Sequence, residues 1–507
     1  MPDERNEGGS AAVARPGSLS LKTKLLISLL FAAGAYLLLL STPWIPGADD
    51  GYRHVKFAHR LATEGRAALA DPWRLLYFWP KPIDGWFGFH LLLAPLTLLF
   101  NLVTASKVLV SLICGAITFA VLELLEDVGA AYPLAWLIVT VFGSGIVLYR
   151  ATYGRPFLFS ILLTLFATLF VLRRNAWGVF AVSAIHAFSY SIVFLVGLPV
   201  VAYLLVRRDK RSLVMTGAFV LGLAAGMAAN PYFPENVRFV VTQTLAPLTL
   251  GVSQDLDVGG ELQPLSIWWI VSSLPATLLF LWGTVTILRD RRRPADAGAP
   301  WILFVMSSLT LLASLRVART FDYFVPFAVL FGASALSGWV ASKKCDAAVL
   351  AGLAFLFCLL NLFTTWRAVS TTASPLKFEG ASNYLLQQPE SSIVFNTWWG
   401  QYHFLYFLNS RSRYITGIDP TFFYLMDQRR YWLWRHISND EPATCDTPVC
   451  TPDRALSIAP VIAKEFAAAF VVIENARTPH LLEYLRKAPE FKEVHRDPLA
   501  SVFAAVP

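Results

Sequence analysis

The carboxylates Asp49 and Asp50 stand side by side directly after the first long apolar run of the chain. Folding does not require two adjacent acids beside a membrane face, where anionic head groups make them mildly unfavourable, and this favours a functional role. A carboxylate in that place can act as a general base that takes the proton of an attacking hydroxyl or amide group. The alternative is a helix cap, in which Asp49 or Asp50 accepts the first backbone N–H groups of a helix starting at Gly51. The residues alone leave both interpretations open.

Positive charge that could bind a leaving phosphate follows another apolar run. Arg316 and Arg319 come directly after the run 299–315. Arginine binds phosphate oxygens in a bidentate way through its planar guanidinium group. The alternative is that both side chains extend to lipid head groups, as arginines at the ends of membrane helices commonly do. Further candidates for the same positive lining are Lys81, His54 and Lys56.

The composition predicts that these residues belong to a membrane protein. The chain has 507 residues, of which 56% are hydrophobic and only 15% charged, whereas soluble domains carry about 25% charged residues. The mean hydropathy is +0.53. Lys and Arg exceed Asp and Glu by 42 to 34, and in a membrane protein such an excess is typical of cytoplasmic loops rather than of nucleic-acid binding. Five scattered cysteines without a CxxC pair indicate neither a disulfide framework nor a zinc site.

Apolar runs long enough to cross about 30 Å of hydrocarbon recur through the first 366 residues. The first, Leu25 to Leu40, is not followed by a small-residue cleavage site, which indicates an uncleaved helix rather than a signal peptide. The other runs are 86–104, 106–125, 132–149, 156–172, 176–206, 212–229, 266–288, 299–315, 321–340 and 346–366.

The placement of basic residues decides which runs cross. The positive-inside rule puts four basic clusters on the side of the N-terminus, namely Arg173-Arg174, Arg207 to Arg211, Arg289 to Arg293 and Lys343-Lys344. This works only if run 86–104 lies on the outer face and if run 176–206 crosses twice or forms a re-entrant hairpin, with its turn at His186 and Ser189 to Ser191. The sequence thereby predicts about eleven crossings, a cytoplasmic N-terminus and an extracytoplasmic C-terminus. One loop, near Glu126-Asp127, is then placed inside without a basic residue of its own.

Three segments are expected on the outer face, namely 44–105, 230–265 and 367–507. In the last of them hydropathy drops, and short β-like runs at 392–395, 470–473 and 501–503 alternate with helical stretches near 380–388, 459–468 and 480–487. This alternation predicts a small α/β domain. Cys445 and Cys450 lie in it on the oxidising side, where a local disulfide can form. The predicted fold is a polytopic α-helical membrane domain, 1–366, followed by an extracytoplasmic α/β domain, 367–507.

This layout resembles the GT-C class of glycosyltransferases, integral membrane enzymes that use polyprenol-linked sugar donors. Asp50-Gly51-Tyr52 resembles the first-loop motif of bacterial and archaeal oligosaccharyltransferase catalytic subunits, and His54 is similar to the histidine of its Tyr-Tyr-His variant. Trp79-Pro80-Lys81-Pro82 resembles the juxtamembrane Lys-Pro segment of the aminoarabinose and protein-mannosyl transferases, which lies on the outer face without crossing. The resemblance implies that Asp50, or else Asp49, is the general base of a single inverting displacement.

The resemblance also implies roles for other polar residues. The donor phosphate is expected to bind Arg316, Arg319, Lys81 and Arg155. The residues expected to line the substrate site are His54, Lys56, Tyr52, Arg150 and Glu235.

Two motifs depart from the oligosaccharyltransferase pattern. Tyr149 to Arg155 resembles the stretch after which that family places a metal-binding Asp, but position 157 is Phe here. We therefore expect a metal-independent site in which Arg155 supplies positive charge; if a divalent Mg or Mn ion did bind, Asp50 and Glu235 would hold it, with Asp84 as a substitute ligand. Trp398-Trp399-Gly400 resembles the Trp-Trp-Asp motif but lacks the Asp that holds the sequon hydroxyl. Packing then becomes the favoured role of the two tryptophans, and a glycan acceptor stays open.

The sequence thus predicts a multi-pass glycosyltransferase of the bacterial inner membrane. It would move a sugar from a polyprenyl phosphate or diphosphate to an extracytoplasmic glycan, lipid or protein acceptor. One alternative is an oligosaccharyltransferase or polysaccharide ligase that transfers a whole glycan. A second alternative, from another class, is a lipid-glycan flippase or transporter, although such proteins typically place charges within helices and show internal repeats. The expected partners are the lipid-linked donor, the acceptor and membrane lipids, and no nucleic acid.

Overall fold

The computed structural model describes residues 19–47, 50–249, 256, 259–289 and 298–506. Asp49, one of the two predicted catalytic acids, lies outside the described residues. The helices up to residue 370 are α1 (Leu21–Leu39), α2 (Asp50–Glu64), α3 (Arg66–Ala70), α4 (Phe87–Leu99), α5 (Leu102–Asp127), α6 (Pro133–Phe142), α7 (Gly145–Ala151), α8 (Pro156–Leu172), α9 (Ala176–Ser189), α10 (Leu198–Arg207), α11 (Lys210–Ala229), α12 (Glu235–Thr249), α13 (Ile267–Val271), α14 (Leu274–Arg289), α15 (Ala299–Ser314), α16 (Phe321–Ser342) and α17 (Lys344–Ser370).

The chain is a membrane protein by the length and composition of these helices. Within the described ranges, five helices are long and apolar enough to cross a membrane, and a sixth crossing is added if α6 and α7, which meet at 78°, form one bent span. Shorter apolar helices, among them α8, α9, α14 and α15, lie in other runs that are predicted to cross. The total of eleven crossings stays a prediction.

A buried ion network ties three helix ends together. Lys24, near the start of α1, contacts Glu123 at 2.5 Å and Glu126 at 2.6 Å. Arg173, which follows α8, contacts Asp127 at 2.7 Å and Glu123 at 2.5 Å. The acidic end of α5 therefore obtains its positive partners from two other helices. This explains how the loop near Glu126-Asp127 can lie on the side of the basic clusters without a basic residue of its own.

The long apolar run 176–206 folds as a hairpin. It consists of α9, a turn that begins at Tyr190, the short 3-10 helix Val193–Gly197, and α10. Arg207 at the end of α10 lines the same cavity of about 320 Å³ as Arg173 and Asp127, so the run returns to the side from which it started. The predicted turn near His186 to Ser191 agrees with this path.

Helix α4 begins and ends near the same end of α1. Its His90 contacts His54 of α2, and only two residues after α4 the chain enters α5, whose Lys107 donates to the carbonyl of Thr42. Thirteen residues of helix extend about 20 Å, well short of the roughly 30 Å of hydrocarbon. This geometry supports the prediction that the apolar run 86–104 lies along the outer face instead of crossing.

The C-terminal part forms a five-stranded sheet with helices around it. The strands are β1 (Ile393–Asn396), β2 (Arg413–Tyr414), β3 (Phe470–Glu474), β4 (Phe491–Arg496) and β5 (Ala500–Ala505), in the order β2-β1-β3-β5-β4. β1 pairs in parallel with β2 and β3, whereas β5 pairs antiparallel with β3 and β4. The helices of this part are Glu379–Leu386, Gln401–Leu408, Pro420–Met426, Gln428–Ser438, Ile458–Pro460 and Pro479–Lys487, with a π-helical turn at Val461–Glu465. The predicted α/β character of this region is confirmed.

The first loop between α1 and α5 packs on this sheet. The backbone N–H of Tyr414 donates to the carbonyl of Arg74 at 2.8 Å, and the N–H of Leu76 donates to the carbonyl of Tyr414 at 2.9 Å, so the loop extends the edge at β2. The hydroxyl of Tyr402 donates to the carbonyl of Trp73 at 2.6 Å, and that of Tyr406 to the carbonyl of Pro72 at 2.7 Å. The loop and the C-terminal region therefore lie on one side of the helix bundle.

A disulfide joins Cys445 and Cys450 in the C-terminal region, with a Cα–Cα distance of 5.3 Å. The free cysteines of the described part are Cys114, Cys345 and Cys358, which lie in membrane helices α5 and α17. A disulfide fits the oxidising compartment that the sequence predicts for this region.

Candidate active site

A cavity of about 330 Å³ lies where the helix bundle, the first loop and the C-terminal region meet. Its polar and charged walls come from α2, from the segment after α7, from the turn before α13, from the residues that precede α16 and from the loop after β2. The side chains that matter to its chemistry are Asp50, Arg53, His54, Arg150, Arg155, Glu261, Arg319, Trp399 and Asp419. Residues more than 350 positions apart thus share one site.

Asp50 is the first residue of α2, and 18% of its side chain is exposed, on the side of the cavity. Its Oδ1 lies 2.8 Å from Nε of Arg53 and 3.6 Å from Nε2 of His403, and its Oδ2 lies 3.3 Å from Nε of Arg155. Burial alone would raise the pKa of Asp50, but Arg155, then Arg53 and His403, outweigh it and hold the pKa well below its usual value. The carboxylate is therefore ionised and held by three partners.

The helical spacing of α2 brings its functional side chains onto one face. Asp50, Arg53 and His54 are three and four residues apart, which places them next to each other on a helix surface. The adjoining side chains Tyr52, Val55 and Phe57 are completely buried in the core. The hydroxyl of Tyr52 accepts the backbone N–H of Ile45 at 3.2 Å, so Tyr52 fixes the helix to the preceding turn rather than lining the cavity.

Glu261 is a second carboxylate of the cavity and is surrounded by arginines. One of its oxygens lies 2.8 Å from Arg150 Nη1 and 3.2 Å from Arg155 Nη1, and the other lies 3.6 Å from Arg319 Nη1. Burial would raise the pKa of Glu261, but Arg319, Arg150 and Arg155 lower it to about 2. Sequence reasoning placed Glu261 in an outer segment without giving it a role, because nothing in its local sequence indicates three arginine partners.

Two arginines of the cavity keep donors that no neighbour uses. Arg150 donates from Nε to both oxygens of Asp322, at 3.1 and 2.9 Å, which fixes its guanidinium group at the start of α16. Its Nη2 and the Nη1 of Arg53 are buried without a hydrogen-bond partner among the described residues. Buried donors of this kind are costly unless they are satisfied.

No family model and no curated protein matches the chain. Solved structures do match it over nearly its whole length. The archaeal oligosaccharyltransferase AglB from Archaeoglobus fulgidus, solved with an inhibitory peptide and a dolichol-phosphate, gives a TM-score of 0.58 at 12% identity, over 92% of this chain and 71% of its own. ArnT from Cupriavidus metallidurans gives 0.55 at 12% identity, over 95% of this chain and 98% of its own. The arabinofuranosyltransferase AftD from Mycobacteria gives 0.60 at 12% identity, over 96% of this chain and 42% of its own.

All three neighbours are membrane glycosyltransferases of the GT-C type. The chain has the GT-C fold. The sequence resemblance, which rested on short motifs and on the layout of helices, is confirmed at the level of the fold. ArnT has also been solved with undecaprenyl phosphate.

The GT-C fold brings only some of the predicted donor-binding residues together. Arg319 and Arg155 line the cavity, and Arg319 also donates to the hydroxyl of Tyr190 at 3.1 Å. Arg316 does not line it, although it lies only three residues before Arg319. Lys81 is 64% exposed and contacts Glu235 at 3.4 Å, outside the cavity. Side chains that follow one another at the end of a helix point in different directions. Closeness in the sequence therefore could not tell which of the two arginines faces the cavity.

Of the predicted substrate-lining residues, too, only some lie at the cavity. His54 and Arg150 line the cavity, whereas Lys56, Tyr52 and Glu235 do not. Lys56 is partly buried on another face of α2, and burial lowers its pKa. The carboxylate of Glu235 instead accepts the indole N–H of Trp79 at 3.0 Å. Both residues therefore serve the packing of the outer surface.

The donor set of the GT-C cavity does not fit a divalent cation. Such an ion needs several oxygen ligands, but Asp50 and Glu261 are already bound to arginines, and Glu235 lies outside the cavity. Phe157, at the position of the missing Asp, packs with its ring centroid 5.1 Å from the guanidinium carbon of Arg150. Within the described ranges, no group of three or more His, Cys, Asp or Glu side chains could hold a metal. Asp50 and Glu235 are thus not brought together as the alternative metal pair.

The paired tryptophans of the C-terminal region have different surroundings. Trp399 lines the cavity. Trp398 donates its indole N–H to Glu474 at 3.1 Å, and the guanidinium carbon of Arg477 lies 4.3 Å from its ring centroid. Packing explains Trp398, while Trp399 adds a flat ring to the wall of the cavity.

Proposed function

We propose that this protein is a membrane glycosyltransferase that moves a sugar from a polyprenyl phosphate or diphosphate to an acceptor on the extracytoplasmic face, with inversion at the anomeric carbon. The observation that carries the proposal is the arginine content of the cavity. Four arginines, Arg53, Arg150, Arg155 and Arg319, line it together with three carboxylates, Asp50, Glu261 and Asp419. Burial raises the pKa of Asp419. Arg150 is also paired with the buried Asp322, so the support comes from guanidinium groups gathered around one cavity, which suit the binding of a phosphate group.

In this proposal the arginines bind and stabilise the departing phosphate. Arg319 and Arg155 reach the cavity from two helix ends, and both are shared with Glu261 when no donor is bound. A phosphate oxygen is a stronger partner for guanidinium groups than a carboxylate that is already shared among three of them. The sugar on such a carrier has a good leaving group, so the protein needs no acid to protonate it.

Asp50 provides the negative charge on the acceptor side of the reaction. Because its carboxylate is ionised and held in place, it can accept a hydrogen bond from the attacking hydroxyl or amide group and stabilise positive charge at the anomeric carbon. The shape of the cavity does not identify the sugar or the acceptor. Transfer of a whole glycan, as in an oligosaccharyltransferase, uses the same chemistry and is the second candidate, favoured by the similarity to AglB.

The test is mass spectrometry of lipid-linked sugars and surface glycans from cells with and without the gene. We expect loss of one glycan modification together with accumulation of its lipid-linked donor, and the mass of that donor separates a single sugar from a whole glycan. Complementation with Asp50→Asn should leave the donor accumulated, because removing one group that stabilises charge in the transition state costs about 10² to 10³ in rate.

Asp49→Asn is the comparison variant for this experiment, since the two acids are adjacent in the sequence. If both variants restore the glycan fully, the pair is a helix cap and Asp50 has no part in transfer. If the gene deletion instead traps the donor on the cytoplasmic face, the protein is a flippase and the proposed function is wrong.

A further inference from the structure

Three buried side chains form a continuous hydrogen-bonded chain that ends at the cavity. Nδ1 of His54 lies 2.8 Å from Nε2 of His90, and Nδ1 of His90 lies 2.7 Å from Oδ2 of Asp84. Asp84 and His90 have no exposed surface, and His54 is 1% exposed. The chain connects α2 with the beginning of α4, two elements of the first loop.

The chain is enclosed by aromatic rings. The ring of Trp86 lies 5.4 Å from that of His54, and the rings of Phe57 and Trp73 lie 4.9 and 5.7 Å from that of His90. These rings keep water away from the three polar groups. A carboxylate buried in such surroundings must be compensated by its hydrogen-bond partners. Asp84 has two of them, because its other oxygen accepts the backbone N–H of Trp86 at 3.0 Å.

The hydrogen bonds determine which nitrogen of each ring holds a proton. A carboxylate accepts, so Nδ1 of His90 is the donor to Asp84. Nε2 of a neutral His90 then accepts, and Nδ1 of His54 must donate to it. The remaining nitrogen of His54, Nε2, consequently presents a lone pair. Burial, followed by Arg53 and His90, lowers the pKa of His54, so the ring is neutral. A proton taken up at Nε2 must therefore be stabilised through the hydrogen bonds of the ring.

The lone pair of His54 belongs to the cavity side of the ring. His54 lines the cavity, and its Nδ1 edge faces His90 on the opposite side. Of the two ring nitrogens, only Nδ1 has a hydrogen-bond partner among the described residues. Asp50 lies one helical turn before His54, which brings the carboxylate and the imidazole to the same wall.

Asp50 itself is a weak proton acceptor in this setting. Its two oxygens are shared with Arg53, Arg155 and His403. A protonated Asp50 would give up its hydrogen bond from Arg53 and weaken its contact with Arg155. A neutral histidine has no such contacts to lose when it takes a proton, and His54 keeps its hydrogen bond to His90.

We propose that His54 accepts the proton of the attacking group during transfer, and that His90 and Asp84 are positioning residues that hold His54 in the tautomer this requires. The inference rests on the proposed function and assigns its proton-accepting step. In that step the acceptor oxygen or nitrogen forms a bond to the anomeric carbon, and its proton moves to Nε2 of His54. The bond between the anomeric carbon and the carrier oxygen breaks, and its electron pair stays on the phosphate. The imidazolium formed is stabilised through His90 by the Asp84 carboxylate.

The test uses membranes from a strain that lacks the gene, which would contain the accumulated donor and the unmodified acceptor. Purified variants are added, and the initial rate of donor consumption is followed by mass spectrometry. We expect His54→Ala to lose about 10² to 10⁴ in rate, the usual effect of removing a general base. Added imidazole should restore part of that rate by occupying the space of the missing ring. His90→Gln and Asp84→Asn should each lose about 10- to 100-fold, as is typical for partners that orient a functional histidine.

The double variant His54→Ala, Asp84→Asn distinguishes an effect of Asp84 that acts through His54 from a purely structural role of Asp84. If Asp84 acts only through His54, the double variant is no slower than His54→Ala alone. His59→Ala is the matched control, because His59 is on the same helix but does not line the cavity. Binding of undecaprenyl phosphate, followed by tryptophan fluorescence, checks that each variant is folded and should be unchanged.

The outcomes distinguish this inference from the proposed function. A near wild-type rate for His54→Ala, together with an inactive Asp50→Asn, would show that His54 does not accept the proton and would leave the proposed function intact. An inactive His54→Ala that imidazole does not restore, with additive losses in the double variant, would also overturn it, since the three residues would then only hold α4 against α2. Unchanged glycans and donor levels in the deletion strain would contradict the proposed function itself.

Discussion

At the scale of single residues, the two arginines after α15 show how closely related positions differ. Arg316 and Arg319 have the same type and nearly the same place in the sequence, yet only Arg319 faces the cavity and contacts Glu261. For Asp50, in contrast, the local sequence was sufficient to identify the residue as a candidate, and the structure places it at the cavity. Its sequence did not indicate its partners, and in the proposed function these make it a fixed negative charge rather than a proton acceptor.

The two arginines provide a matched pair of variants. Arg319→Ala should weaken donor binding by about 10- to 100-fold, since hydrogen bonds to charged groups contribute about 1.5–3 kcal/mol each. Arg316→Ala should leave it near the wild-type value. The measurement is the concentration dependence of donor consumption by purified protein in membranes of the deletion strain. A larger loss for Arg316→Ala than for Arg319→Ala would show that the phosphate does not bind in this cavity.

At the scale of elements, the hydropathy of α4 predicts a membrane crossing, whereas its length and its place in the fold do not. Its residues are as apolar as those of a membrane span, but the helix has only 13 residues, and its first turn supplies His90, which contacts His54 of the cavity wall. The hairpin of α9 and α10 is a related case, in which one apolar run contains two helices. In both cases the charge of the loops predicted the path better than the length of the apolar run.

Labelling with a membrane-impermeant maleimide tests this arrangement of elements. In a background with Cys345→Ser, a cysteine at Arg174 should be protected in intact cells, because we expect it on the cytoplasmic side. A cysteine at Leu499, which is 56% exposed in the C-terminal region, should be labelled and serves as the positive control. Labelling of position 174 from outside would mean that α4 crosses the membrane.

At the scale of the whole molecule, the site exists only where three parts of the chain meet. The membrane helices supply the arginines, the first loop supplies Asp50 and His54, and the C-terminal region supplies His403 and Trp399. The hydroxyls of Tyr402 and Tyr406 fix the helix Gln401–Leu408 to the backbone of the first loop. The C-terminal region is therefore part of the catalytic unit and not an appended module.

His403 tests this dependence between distant parts of the chain. His403→Ala should lower the rate of transfer by about 10- to 100-fold, because Asp50 loses a partner that holds it in position. The affinity for the donor should change little, so the effect should appear in kcat rather than in KM. His495→Ala is the control, since His495 lies at the far edge of the sheet beside Asp497. Equal and small effects of both variants would show that the C-terminal region does not act on Asp50.

The sequence by itself determined the properties that depend on local composition. Apolar runs and loop charges predicted a membrane protein with a soluble α/β region, and the motif at Asp50 predicted the GT-C fold. Only the tertiary structure decided which side chains meet: Arg319 rather than Arg316, His403 beside Asp50, and the chain from Asp84 through His90 to His54. The physical reason is that burial and helix formation follow from the side chains along a segment, whereas these contacts join segments up to about 350 residues apart and arise only when the packed elements fix their relative directions.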